Sequence, residues 1–386
     1  MTINCNVSSL IAKKDPHLTL IRLLRCSDIS FNQHRFSPCA SWNPDGITFA
    51  SIGVVSDRPY YIFINSNNTI YVTAFNFSQT LVFSMASPTP IRILASGLYK
   101  PRGMFVTSDG NIYVDNGNGL GRVERWAPNA TNGVPVMNVN SSCRSLFVDT
   151  NSTLYCSLDS QHVVIKNSLP AGLVSTTVAA GTWSFGTSST ELSGPNGIFV
   201  DRNNFNMYIA DSYNHRIQLF QFNQRNATTV AGSGAPGTIS LNYPDTITVD
   251  ADGYMFIADT ANHRIVGSGP AGFRCIVGCT GQSGIFASQL NAPRSLAFDT
   301  DGNLFVTDTR NGRIQKFIMA SNSCSKSRIR LEHILVFNQV RCGVQPTPTL
   351  NVCIMEPQCH HFYELHRHCS LACRRLHQFE QHHLRE

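Results

Sequence analysis

The sequence predicts an all-β fold, a six-bladed propeller of four-stranded blades, on three observations. First, three stretches are near-copies: GPNGIFVD with MYIADSYNHRIQLF (194–201, 207–220), YPDTITVD with MFIADTANHRIVGSG (243–250, 255–269), and APRSLAFD with LFVTDTRNGRIQKF (292–299, 304–317). Pro195, Pro244 and Pro293 are 49 residues apart, and Asp211, Asp259 and Asp308 are 48 and 49 apart. A period of that length belongs to propellers, solenoids or arrays. Second, each copy consists of short runs rich in Ile, Val, Phe and Tyr, punctuated by Gly, Asn and Asp, which are strand and turn signals. Third, nothing between residues 40 and 324 keeps a helical period, so the repeats stack as blades of sheet.

Weaker copies extend the series towards the N-terminus. Pro59 opens PYYIFINSNNTIYVTA, Pro101 opens PRGMFVTSDGNIYVDN and Cys143 opens CRSLFVDTNSTLYCSL, at intervals of 42 residues. Six units therefore open at Pro59, Pro101, Cys143, Pro195, Pro244 and Pro293. In the fourth unit, strands are expected over 198–201, 207–210, 216–222 and 228–231. The first two are joined by Arg202-Asn203-Asn204, where other units place the stronger turn pairs Asp109-Gly110, Asp252-Gly253 and Asp301-Gly302. The sixth unit supplies only three strands, ending near Phe317. Residues 47–51, in the run ITFASIG, resemble the outer strand of other units, such as TVAGSG (229–234). They are expected to complete the sixth blade and close the ring, burying edges that would otherwise stay unpaired.

The combination Pro-x-Gly-Ile, Val-Asp, Tyr-Ile-Ala-Asp and Asn-His-Arg-Ile resembles the NHL repeat. Its name comes from the tripeptide seen here as Asn214-His215-Arg216 and Asn262-His263-Arg264. The resemblance covers roughly residues 40–324. It is clearest in the last three units and thinnest in the first and third, where Ala74 and Leu158 stand in place of the motif Asp. It implies a six-bladed propeller and, in most members, a non-catalytic binding role. His215 and His263 look like a histidine pair, but a residue repeated once per blade reads as architecture. The same holds for Asp211, Asp259 and Asp308 with Arg216, Arg264 and Arg313 five residues later, which could pair near the turns.

A hydrophobic content of 42% and an aromatic content of 10% suffice for a packed core in one ring-shaped domain. Three regions are expected: 1–38, a disordered flank; 39–324, the propeller; and 325–386, a Cys/His-rich tail, also disordered. Charge follows the same boundaries. The propeller region carries 17 Lys+Arg against 17 Asp+Glu, so the formal +6 comes from the flanks. A neutral ring exerts little general pull on phosphate backbones. In the tail, Cys359, His360, His361, His366, His368, Cys369 and Cys373 invite a zinc reading, but their spacing fits no paired-ligand framework, and no metal is expected.

Six of the 13 cysteines have partners in this scheme. Ring closure brings Cys39 to Cys324, Cys143 and Cys156 flank a short turn between strands, and Cys275 and Cys279 bracket a Gly-containing turn. Three disulfides are expected, with six buried thiols as the alternative. Disulfides imply an oxidising compartment, extracellular or ectodomain-like, and the sequons at Asn6, Asn67, Asn76, Asn129, Asn140, Asn151 and Asn226 add a weaker glycoprotein hint. The run Leu18 to Leu24 is broken by Arg22 and no cleavage site follows it. Either the true start lies upstream or the protein is cytoplasmic. No stretch reaches transmembrane length.

The residue after each opening position varies: Tyr60, Arg102, Arg144, Asn196, Asp245 and Arg294. First strands line the channel, so these six should ring one mouth, where a small anion or an acidic peptide side chain could bind. No Gly-x-Ser-x-Gly, HExxH or Walker sequence is present, and no cofactor is implied. A metal-dependent lyase or lactonase, as in some similar propellers, would draw on Asp245, Asp149, Asp201, Asp250 and Asp299. A ubiquitin-ligase-type RNA- or protein-binding module would need a RING or B-box, and residues 1–38 hold only Cys5, Cys26, His17 and His34. The reading is a monomeric, non-catalytic propeller that binds a protein, a peptide or a small anionic ligand.

Overall fold

The structure is a computed structural model that describes residues 29–324 except 174–175. The expectations placed on 1–28 and on the Cys/His-rich tail lie outside the described residues. Six antiparallel four-stranded sheets form the blades. Blade 1 comprises Pro59–Ile64, Ile70–Ala74, Gln79–Phe83 and Pro90–Leu94; blade 2 comprises Met104–Val106, Ile112–Asp115, Arg122–Trp126 and Val134–Asn138. Blade 3 comprises Leu146–Val148, Thr153–Leu158, Val163–Ser168 and Thr177–Gly181. Blade 4 comprises Pro195–Val200, Met207–Asp211, Arg216–Phe220 and Ala227–Gly232. Blade 5 comprises Pro244–Val249, Met255–Asp259, Arg264–Gly269 and Gly272–Val277. Pro293–Phe298, Leu304–Asp308 and Arg313–Phe317 belong to blade 6. First strands touch one another in a closed circle, the sixth against the first. They are buried along their whole length in blade 4, whereas its outer strand alternates with solvent.

Blade 6 is completed as expected. Ile47–Ala50 pairs antiparallel with Arg313–Phe317, matching Ile47 to Lys316 and Ala50 to Ile314. Closure then continues beyond the blade. Ser41–Trp42 pairs with Met319–Ser321, and just outside that pair Cys39 is bonded to Cys324 across a Cα separation of 4.9 Å. Cys143–Cys156 and Cys275–Cys279 are also bonded, at 5.3 and 5.7 Å, inside the range a disulfide spans.

Residues 29–38, expected to lie outside the propeller, pack across one end of it. Phe31 inserts its ring among Phe63, Phe105, Phe147 and Phe199, edge-on to each at 6.0–6.5 Å. Those four rings occupy one equivalent first-strand position in blades 1 to 4. Blades 5 and 6 place Thr248 and Ala297 there, and the smaller side chains leave a gap through which the segment runs outwards. Its path is fixed by side chains hydrogen-bonded to first-strand carbonyls: Asn32 to Phe298, Gln33 to Val249, and His34 to Asp299 at 2.6 Å. Phe36 then packs on Trp42, Phe256 and Phe298. The segment is held by the aromatic edge preference of the rings and by carbonyls that have no other partner at a strand end. About 60 Å³ of space remains along the first strands behind it. That is room for water and far below the ~300 Å³ at which ligand pockets begin.

Cys39–Cys324 closes 285 residues and Cys275–Cys279 closes four. Loop entropy therefore predicts about 5–6 kcal/mol of stability from the first and about 2 kcal/mol from the second. Chemical denaturation of the two paired Cys→Ser variants should show that order, and equal losses would refute it.

Candidate functional site

The motif Asp, Asn, His and Arg form a latch between blades. In blade 4, Asp211 Oδ2 accepts from Arg216 Nε at 2.7 Å and from Asn214 Nδ2 at 2.8 Å, while its Oδ1 accepts the Ser193 N–H at 2.6 Å. The remaining guanidinium N–H groups donate to the carbonyls of Thr187, Ser188 and Glu191 in the incoming loop. Blades 5 and 6 repeat this with Asp259–Arg264 at 2.8 Å and Asp308–Arg313 at 2.7 Å. His215 and His263 sit in the left-handed region, at φ 54° and 56°. Each Nδ1 accepts the backbone N–H that begins the next blade, of Tyr243 and Ala292 respectively, at 3.1 Å. His162 does the same for Gly194. An Nδ1 that accepts carries no proton, and burial, with Arg310 nearby, lowers the His263 pKa. These residues satisfy buried backbone groups and join blades.

Blades 1 and 3 lack the ion pair: Ala74 lies opposite Gln79, and Leu158 opposite Val163. Blade 2 departs differently. Arg122 turns to Glu124 at 2.7 Å, leaving Asp115 without an arginine. Its fully buried carboxylate instead accepts from Ser142 Oγ at 2.7 Å, from the N–H groups of Cys143 and Gly117 at 2.9 Å, and from the Arg102 N–H at 3.3 Å. Burial pushes its pKa up to about 6 despite those four donors.

Arg102 is one of the six residues expected at the mouth. Close approach of first strands sets the width of that mouth. A Cβ on Gly103 would stand 2.9 Å from the Cys143 carbonyl oxygen, and one on Gly197 would stand 2.7 Å from that of Asp245. Only glycine fits this spacing. Tyr60, itself buried, lies beneath the guanidinium groups of Arg294, Arg144 and Arg102, whose central carbons are 4.6, 5.6 and 5.8 Å from its ring centre. Arg294 Nη1 donates to Tyr60 Oη at 3.1 Å and pairs with Asp245 at 2.5 Å. Arg144 pairs with Asp159 at 2.6 Å. Arg102 has no carboxylate partner for its guanidinium among the described residues, and its buried Nε makes no hydrogen bond. Asn196 is buried with an unpartnered Oδ1. Five of the six positions are thus tied together by direct contacts around Tyr60. Asn196 occupies the equivalent strand position in blade 4, and no hydrogen bond among the described residues joins its side chain to the others.

Asp149, Asp201, Asp250 and Asp299 do not share this mouth, contrary to their grouping with Asp245 as possible ligands. They end the first strands at the opposite face, where Oδ1 caps the hairpin N–H groups of Asn151, Asn203, Asp252 and Asp301 at 2.8–3.0 Å. The residue type suits an Asx turn at that place. Sequence reasoning missed Asp115 and Asp159: Asp115 stands at the repeated Asp position, which reads as architecture, and Asp159 stands where the clear repeats have Ser212, Thr260 and Thr309. Among the described residues no group of three or more His, Cys, Asp or Glu side chains could hold a metal.

A sequence description of the NHL repeat matches residues 290–317, and one of the SMP-30/gluconolactonase/LRE-like region matches 175–276. Human NHL repeat-containing protein 2 is 31% identical over 86 residues, 20% of this chain and 12% of that protein. The chain therefore spans about an eighth of the length of the curated relatives it matches. Among solved structures, an auxiliary nutrient binding protein from Bacteroides thetaiotaomicron aligns with a TM-score of 0.53 at 16% identity, covering 76% of each chain. Virginiamycin B lyase from Staphylococcus aureus aligns with a TM-score of 0.51 at 12% identity, covering 72% of this chain and 99% of that one. Likeness at such identity establishes the propeller fold.

Asp115 supplies a pH test of the mouth's support. A carboxyl whose folded pKa is raised stabilises most below its unfolded pKa, near 4, and that contribution is lost as pH rises through about 6. The stability difference between the parent and Asp115→Asn should therefore shift against the parent by about 1.4 kcal/mol per pH unit from about pH 4 to 6. Parallel stability–pH curves in that window would show that the carboxyl is not raised.

Proposed function

We propose that this NHL-repeat propeller is a non-catalytic recognition module that binds an acidic group of a protein partner at the Tyr60 mouth. The observation that carries the reading is Arg102. Three guanidinium groups surround one phenol ring; Arg294 and Arg144 are paired with Asp245 and Asp159, while the Arg102 guanidinium has no carboxylate partner among the described residues. A partly desolvated guanidinium over an aromatic face suits a carboxylate ligand, which it can grip with two parallel hydrogen bonds. The opposite end of the channel is filled by Phe31 and offers no equivalent site.

A macromolecular partner is favoured by the surroundings. The loops on the mouth face expose Phe185, Ile285 and Phe286, each at least 71% accessible, and also Trp183, Tyr213 and Tyr243. Aromatic and aliphatic side chains around a charged centre match the composition of protein-binding surfaces. The disulfides favour an oxidising, extracellular or ectodomain-like setting for that encounter. Alkylation of the chain isolated without reductant should leave the six bonded cysteines unlabelled, whereas labelling would favour the cytoplasm.

An enzyme of lactonase or lyase type is the second reading, motivated by the match over 175–276. That reading needs a metal-ligand cluster, and among the described residues no group of three or more His, Cys, Asp or Glu side chains forms one.

Calorimetric titration of the full chain with a hexaglutamate and a hexalysine peptide tests the first reading. The acidic peptide should bind, with affinity falling as salt is raised. Arg102→Ala should weaken it by about 1.5–3 kcal/mol, the value of a charged hydrogen bond, with the melting curve preserved. Equal binding of both peptides, or an unaffected Arg102→Ala variant, would defeat the proposal.

A further inference from the structure

Between blades 3 and 4, on their outer part, lies a cavity of about 410 Å³, within the range of small-molecule sites. The outer strand of blade 3 lines it with Val178 and the small residues Ala179, Ala180 and Gly181. The facing side of blade 4 carries an apolar stretch, Met207 and Phe220 with Phe205 and Phe222 in ring contact at 5.5 Å, beside the polar Gln221, Asn223 and Gln224.

Two cations belong to the same lining, Lys166 from blade 3 and Arg225 from the turn of blade 4. Neither is paired with a carboxylate at 4 Å or less among the described residues. Lys166 has a counterpart in blade 6, Lys316, because Lys166 lies opposite Tyr155 as Lys316 lies opposite Phe305. Lys316 pairs with the hairpin aspartate of its own blade, Asp299, at 3.3 Å. In blade 3 the corresponding Asp149 accepts the Tyr155 hydroxyl at 3.1 Å, Lys166 forms no salt bridge among the described residues, and its half-buried side chain lines the cavity.

We propose that this interblade cavity is a second binding site, distinct from the Tyr60 mouth, for a small amphipathic carboxylate. Its aromatic or aliphatic body packs on the Phe205, Met207 and Phe220 wall, and its carboxylate faces Lys166 and Arg225. Apolar walls supply affinity and the unpaired cations orient the ligand. A neutral ligand of the same shape would bring no charge to pair with either cation, so charge discriminates between the two ligands.

Naphthoate and the isosteric, uncharged naphthamide serve as probes in calorimetric titration of the full chain. Naphthoate should bind saturably at one site, about tenfold or more tighter than naphthamide, the equivalent of one charge-assisted hydrogen bond. Lys166→Met with Arg225→Met should erase that preference while leaving the naphthamide affinity and the melting curve unchanged. Val178→Trp, which fills the cavity from blade 3, should abolish binding of both probes. The proposal is overturned by an absence of saturable naphthoate binding up to about millimolar concentration. It is equally overturned by matched affinities for the two probes, or by undiminished naphthoate binding in the double Met variant. If Val178→Trp alters the fold, the double Met variant decides the question, because Arg225 is exposed and Lys166 half-buried.

Discussion

A propeller stands or falls on the joint between its two ends, because a ring of sheets left open exposes strand edges and lets the blades fan apart. Here that joint has three successive parts. Ile47–Ala50 completes the sixth sheet, Ser41–Trp42 pairs with Met319–Ser321, and Cys39 is bonded to Cys324. The first part supplies hydrogen bonds and core residues such as Ala50. The last acts by restricting the unfolded chain across nearly the whole domain. Everything at the channel depends on that joint, because Tyr60 of the first blade meets Arg294 of the last directly across it. The mouth is assembled by closure.

What repeats and what varies divide the labour between fold and function. The repeated Asp, His and Arg spend much of their hydrogen-bonding capacity on backbone groups of the incoming loop. The side chain after each opening position makes no bond of that kind among the described residues. It can therefore differ from blade to blade, and the six differences create a mouth with an unequal charge distribution. Blade 3 also differs further out: Tyr155 donates to Asp149, and Lys166 forms no salt bridge among the described residues, whereas in blade 6 Lys316 pairs with Asp299.

Much of this was legible in the sequence, and the reason is periodicity. Six Pro- or Cys-opened units fix blade number, first strands and mouth positions, and the missing fourth strand points back to 47–51. Three cysteine pairs follow from the same alignment. Residues 29–38 were not legible, because they occur once and carry no repeat. Their trace lay in the receiving surface: Phe63, Phe105, Phe147 and Phe199 at one position, then Thr248 and Ala297 where the segment leaves. The neutralisation of Arg144 by Asp159 was hidden because the clear repeats place Ser212, Thr260 and Thr309, not an acid, at that turn position. The interblade cavity is lined by the small residues Ala179 and Ala180, which no motif announces.

Closure by the N-terminal strand is the claim on which the rest hangs, and amide hydrogen exchange of the full chain under native conditions, read at Thr48, Phe49 and Ala50, tests it most directly. If the strand is an integral part of the sixth sheet, its hydrogen-bonded amides should exchange only with opening of the whole blade, at rates matching those of Arg313–Phe317. Exchange at the rate of an unstructured peptide in 47–50, while Arg313–Phe317 stays protected, would mean that the ring is not closed by this strand.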